Sequence, residues 1–350
     1  MSVIRSGRHW EPPRDWRVIK TVDSHTGGEP LRVIVSGLPR IPGKTIPAKR
    51  RYVLKNWDRL RRGLMWEPRG HADMYGAIIT EPVSRDADLG VLFLHNEGLS
   101  TMCGHGIIAL VTVVVETGMF AAKAPERMLK IDTPAGLVTA FAKVEGRAFR
   151  RVKSVRFHNV PSFVLGLDEK VEVPGIGEVA YDLAFGGAFY AYVQAEPLEL
   201  GLEPENARGL IEAGMAIKHA VMKSRPIVHP FEPDLNFLYG TIFIGPTSTR
   251  GVHDRNVCIF AEGEVDRSPT GTGVSGRVAI HFARGELKLG RPIVIESIVR
   301  SRFTGRAVRE VDFGPHKAVI PEVEGSAHIT GRHEFLFDPR DPFSEGFFLR

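Results

Sequence analysis

His95-Asn96-Glu97-Gly98-Leu99-Ser100-Thr101-Met102-Cys103-Gly104-His105-Gly106 runs straight into the apolar stretch from Ile107 to Val115, and the same shape returns later in the chain. The second copy, Phe260-Ala261-Glu262-Gly263-Glu264-Val265-Asp266-Arg267-Ser268-Pro269-Thr270-Gly271-Thr272-Gly273, opens another helical pattern that stops at Gly285. Each places a short nucleophile-type side chain, Cys103 or Thr270, directly before Gly-x-Gly, and Thr270 follows Cys103 by 167 residues. The first helix is expected to start at Gly104 and to stop at Gly118, the residue type found just past a C-terminus. The spacing predicts an internal duplication, with one copy in each of two domains.

Outward from these segments, short strands alternate with helices. Residues 17–23 read as a strand entering a turn at Thr26-Gly27-Gly28, and residues 31–36 as a second strand broken by Gly37. A helix is expected over 48–64, buried strands at 77–79 and 90–94, and alternating strands through 129–165. The second half repeats the plan, with strands at 188–194, 238–244 and 256–260 and helices over 204–219 and 271–284. A length of 350 residues exceeds what one core fills comfortably, so two α/β domains are expected. Turn chemistry near 146–151 and 325–331 sets the expected boundaries: residues 1–150 with 330–350 returning to them, and residues 151–329.

Such helix starts have a defined chemistry. Glycine lets the backbone approach a ligand, and the first helical N–H groups have no intrahelical partner. Two starts facing one cleft would cradle a carboxylate or phosphate through those groups and the helix dipoles. The same positive end is expected to lower the pKa of the Cys103 thiol and set a base beside the anion. Proton abstraction next to a carboxylate suits that pairing. Cys258, between Val257 and Ile259, reads instead as a small buried hydrophobe.

Other chemistries fit poorly. Neither segment ends in the Gly-Lys-Ser/Thr of a phosphate loop. His25, His71, His95 and His105 lack ligand spacing, and His328 and His333 fall in an expected loop, so no metal site is expected. Two cysteines make no disulfide framework and suit a reducing compartment. No apolar run reaches a bilayer span, and the arginine-bearing N-terminus lacks the core of a signal peptide, so a cytoplasmic protein is expected. Residues 1–70 carry 16 Lys+Arg against 6 Asp+Glu, and the rest 30 against 35. The cluster from Lys49 to Arg62 reads as a solvated face or an anchor for an acidic substrate. Nucleic-acid binding is the rival reading.

With these residues in view, the chain resembles the proline racemase family over almost its whole length. The matching landmarks are Asp23-Ser24-His25-Thr26-Gly27-Gly28-Glu29-Pro30, Met102-Cys103-Gly104-His105-Gly106 and Asp266-Arg267-Ser268-Pro269. The resemblance implies two pseudo-symmetric α/β domains of the diaminopimelate epimerase type, each with a sheet wrapped around a central helix and the site in the cleft between them. Thr270 stands where that family carries a second cysteine, a departure that resembles its trans-3-hydroxy-L-proline dehydratase branch. That implies dehydration to Δ1-pyrroline-2-carboxylate with Cys103 as proton acceptor, and Gly104, His105, Asp266, Gly271 and Thr272 contacting substrate. A hydroxyproline 2-epimerase is the alternative. No cofactor or metal is implied, and the expected partner is a small hydroxyproline, with neither nucleic acid nor membrane and with a homodimer left open.

Overall fold

The computed structural model describes residues 10–146 and 151–349. The start of the N-terminal arm, the expected boundary between 150 and 151, and Arg350 lie outside the described residues. In the first half, strands β1 (Arg17–Thr26) and β2 (Glu29–Ser36) lead to helices α1 (Ile46–Asn56) and α2 (Asp58–Met65). Strands β3 (Gly76–Thr80) and β4 (Leu89–Leu94) then precede the central helix α3 (Gly104–Glu116). Strands β5 (Glu126–Thr133), β6 (Gly136–Glu145) and β7 (Arg151–His158) follow.

The second half has β8 (Ser162–Val173), β9 (Gly177–Phe185) and β10 (Phe189–Gln194), then helix α4 (Ala207–Ser224). Next come β11 (Leu238–Gly245), β12 (Asp254–Phe260), the short β13 (Glu264–Val265) and the second central helix α5 (Gly271–Ala283). Strands β14 (Ile293–Glu296), β15 (Arg302–Phe313), β16 (His316–Gly325) and β17 (Ala327–Phe337) complete it.

The duplication is written into the pairing. In the first half β2 runs parallel to β3, β3 antiparallel to β4, and β4 parallel to β5, with α3 inserted between the last two. In the second half β10, β11, β12 and β14 repeat that order, with α5 in the same place. Parallel neighbours require a crossover, and α1 with α2 in one half, α4 in the other, supply it. Residues 104–115 of α3 and 271–280 of α5 are buried on every side, as helices wrapped by sheet must be.

Two local expectations are corrected. The helix over 48–64 divides at Trp57, whose φ of −124° ends α1 while its N–H still bonds the Val53 carbonyl. The expected turn over 325–331 is mostly strand, which also places His328 and His333 on β17, not in a loop. Gly331 sits opposite Asp23 at a register shift between β17 and β1, so its turn-like signal marks a β-bulge.

Candidate active site

The two central helices meet start to start. A Cβ added to Gly104 would lie 2.5 Å from the Gly271 Cα, and one added to Gly271 would lie 2.7 Å from the Gly104 Cα. Only glycine at both positions lets the two N-termini converge, and their dipoles then point at one place. There a small cavity of about 20 Å³ is lined by Tyr75, Met102, Cys103, Gly104, His105, Tyr190, Tyr239, Phe260, Asp266, Thr270 and Gly271.

Six of the seven residues expected at the site line this cavity, and Thr272 does not. The Thr272 hydroxyl lies 2.8 Å from that of Tyr190, behind the wall. Cys103 caps α3: its backbone is extended, and its Sγ accepts the Gly106 N–H at 3.2 Å. His105 Nδ1 lies 3.2 Å from the same sulfur. Burial drives the His105 pKa down to about 3, with the Pro30 carbonyl opposing, so the ring is neutral and orients the thiol.

The electrostatics of Cys103 differ from the expectation. Desolvation pushes its thiol well above the usual range, and the charges of Asp266 and Glu29 push the same way. The Gly106 N–H and the nearby Tyr75 hydroxyl favour the thiolate but do not outweigh burial. The helix start therefore acts on the sulfur as expected, against a larger opposing effect that the local sequence does not encode.

On the opposite wall Asp266 Oδ1 accepts the Ser268 N–H at 2.7 Å. Desolvation raises its pKa to about 6, with Ser268, Thr270 and Arg267 opposing, so it is ionised at neutral pH. Thr270 holds the N-cap position of α5 at φ 64° without a side-chain cap, and its buried Oγ1 lies beside Asp266 and Cys258.

Several neighbours carried no local signal. Tyr75 and Tyr239, one from each half, bring their hydroxyls to 3.2 Å. His95 stacks on Tyr75 and places Nδ1 3.3 Å from Glu264 Oε1, again between halves. Glu29 belongs to the Asp23–Pro30 landmark. Its buried Oε2 accepts the Arg267 N–H at 2.8 Å, while Arg267 pairs with Asp73 at 2.6 Å. These contacts tie the Asp266 loop to the first half.

The basic segment faces inward more than its sequence suggests. Lys49 donates to Thr80 Oγ1 and the Glu81 carbonyl, both at 2.6 Å, and Arg50 to the Leu99 carbonyl at 2.7 Å. Arg61 donates to the carbonyls of His95 and Asn96. Three of the cluster's cations thus hold strand ends and the loop that delivers Cys103. No helix among the described residues is long and apolar enough to cross a membrane.

The proline racemase family profile matches residues 21–348. A trans-3-hydroxy-L-proline dehydratase of Colwellia psychrerythraea is 49% identical over 344 residues, spanning 97% of this chain and 96% of that one. A 3-hydroxyproline 2-epimerase of Burkholderia multivorans is 48% identical over 334 residues, spanning 95% and 99%. Among solved structures, a hydroxyproline epimerase from Agrobacterium vitis with bound trans-4-hydroxy-L-proline superposes with a TM-score of 0.89 at 33% identity, covering 95% of this chain and 96% of that one.

Proposed function

The chain belongs to the proline racemase family, and within it we propose that it is a hydro-lyase removing water from trans-3-hydroxy-L-proline, with Cys103 as the base. The observation that carries this reading is the inequality of the cavity's two walls. Cys103 faces it from one helix start, and an alcohol, Thr270, from the other. An alcohol is far too weakly acidic to serve as a proton carrier at neutral pH, so only one face of Cα has a base. Elimination needs one base, and inversion needs two. The high identity to a relative named trans-3-hydroxy-L-proline dehydratase supports the same choice.

The substrate carboxylate is assigned to the N–H groups at Gly104–His105 and Gly271–Thr272, and the ring ammonium to Asp266. That cation also eases the resting electrostatics. Paired with Asp266, it offsets one of the charges that hold the Cys103 thiol protonated, although desolvation remains the larger cause. In the trans substrate the α-hydrogen and the C3 hydroxyl share a ring face, so loss of water is syn, on the Cys103 side. The enamine formed tautomerises to Δ1-pyrroline-2-carboxylate. We assign the enzyme to the cytoplasm, which suits its two free cysteines, and take a small molecule as its partner, without nucleic acid or membrane surface.

Incubation of the purified protein with a panel of proline and hydroxyproline isomers tests the reading. Imine formation from trans-3-hydroxy-L-proline without inversion at Cα is the expected result. Robust inversion without imine would identify a 2-epimerase instead.

A further inference from the structure

Hydroxide is a poor leaving group, and the syn geometry brings it to the wall where Cys103 acts. The donors on that wall are few. His105 is neutral and interacts with the Pro30 carbonyl through its ring, and the Tyr190 hydroxyl is engaged with Thr272. Asp266 and Thr270 belong to the opposite helix start, the Tyr239 hydroxyl comes from the opposite half, and the Cys103 sulfur is itself taking up the α-proton. Tyr75 remains: it lines the cavity beside Cys103, is buried, and packs edge-on against His105 with ring centroids 4.8 Å apart. Its hydroxyl contacts another hydroxyl, that of Tyr239, at 3.2 Å. Such a pair can reverse its hydrogen-bond direction, leaving the Tyr75 proton free to move toward a ligand.

We propose that Tyr75 is the general acid of the elimination, protonating the departing C3 hydroxyl while Cys103 removes the α-hydrogen. This rests on the dehydratase reading and deepens it. The Cα–H bond breaks as the S–H bond forms, and its electron pair becomes the Cα=C3 π bond. The C3–O bond breaks with its pair on oxygen, which takes the Tyr75 proton and leaves as water. The Tyr75 phenolate then recovers a proton from the Cys103 thiol. Burial raises the pKa of both the Tyr75 phenol and the Cys103 thiol, so both favour their protonated forms in the resting site and the return restores the neutral phenol. Both groups end as they began, and no co-reactant is needed. Tyr239 is a positioning residue for Tyr75.

The test varies the leaving group. Fluoride departs with little need of a proton, so 3-fluoro-L-proline with fluorine trans to the carboxylate separates acid catalysis from cavity shape. Tyr75→Phe should lose at least about 100-fold in kcat on trans-3-hydroxy-L-proline, the range general-acid catalysis provides, and at least about tenfold less in fluoride release, where its one cost is the support that the Tyr75 hydroxyl gives the Cys103 thiolate. Its α-deuterium uptake by trans-4-hydroxy-L-proline in heavy water should fall no further than its fluoride release, since both need only the base. Tyr239→Phe, which leaves the acid in place, should show a smaller loss confined to the hydroxy substrate. Equal losses on both leaving groups would reduce Tyr75 to a wall residue, and full activity on both would remove it from the reaction. Cys103→Ser should abolish both eliminations. If it did not, the base assignment would fall, whatever Tyr75→Phe shows.

Discussion

The starts of α3 and α5 look alike in sequence and differ in backbone. Cys103 is extended, with φ −143°, and its sulfur completes the cap by accepting the Gly106 N–H. Thr270 lies at φ 64° with no side-chain cap, and its N–H reaches back to Ser268 Oγ at 3.2 Å. The left-handed region is costly for a β-branched residue, at about 1–3 kcal/mol. At one start the cap chemistry and the reactive atom are the same group. At the other, the strained backbone turns a short alcohol into the cavity where a thiol would complete a two-base site. On the proposed reading, duplication supplied two helix starts that share the substrate carboxylate, and one side chain at each sets what happens to Cα.

The largest effect that could break this contrast is at Cys103. Cys103→Ser should lower dehydration by about 10³-fold or more, because an alcohol lacks thiolate basicity. Thr270→Ser should cost far less. Comparable rates for the two variants, measured on folded protein by imine formation, would mean that the two starts are chemically equivalent.

Next in size is Asp266→Asn. Losing a charged partner for the ring ammonium should cost about 10- to 100-fold in kcat/KM, while binding of pyrrole-2-carboxylate, which has no ammonium, should fall much less. In wild type, capture of substrate should decline as pH falls through about 6, where Asp266 protonates, and the variant should lack that limb. The stability sign is opposite. A carboxyl with its pKa raised by burial binds more protons folded than unfolded, so its contribution falls as pH rises from about 4 to about 6. Thermal melts should therefore show Asp266→Asn no less stable than wild type at pH 7, with its advantage shrinking as pH falls from about 6 to about 4. Equal losses for substrate and pyrrole-2-carboxylate would detach Asp266 from the ammonium.

The contrast also marks what was legible beforehand. The helix starts were, because Gly-x-Gly followed by Ile107 to Val115 is a local signal with a local cause. The cavity walls were not. Tyr75, Tyr190, Tyr239 and Phe260 lie beside or within short buried strands far apart in sequence, and only the sheet order brings them together. The raised Cys103 pKa escaped for a similar reason: a helix dipole is read from neighbours in sequence, whereas desolvation comes from everything packed around the sulfur. The left-handed Thr270 carried no warning, since glycine or asparagine is the usual sign of that conformation.

Thr270→Cys sharpens the contrast by removing it. A second thiol on the opposite face could reprotonate the planar intermediate, so the variant should invert trans-4-hydroxy-L-proline, detected as deuterium uptake with inversion in heavy water. Wild type should exchange without inverting. Dehydration should persist within about tenfold, because the change in side-chain volume is small. A cysteine is not β-branched, so the left-handed backbone should become easier to hold. Inversion by wild type would show that Thr270 does not block the second face.

The smallest expected effect concerns a thiol already near the second start. Cys258, on β12, is buried, and its thiol is pushed well above the usual range first by desolvation and then by Asp266, as Cys103 is by burial. Proximity and pKa direction thus fail to separate the two cysteines; access does, since Cys103 lines the cavity and Cys258 does not. Cys258→Ser should keep activity within about twofold, as expected for a packing change that leaves reacting groups in place. Its cost in stability should be about 1 kcal/mol, at the low end for burying a hydroxyl, because the Thr270 hydroxyl stands close enough to share a hydrogen bond. In wild type a thiol reagent should modify Cys103 first, and pyrrole-2-carboxylate should protect it. A folded but inactive Cys258→Ser protein would place a second working thiol on the Thr270 side, and the one-base reading of this site would have to be abandoned.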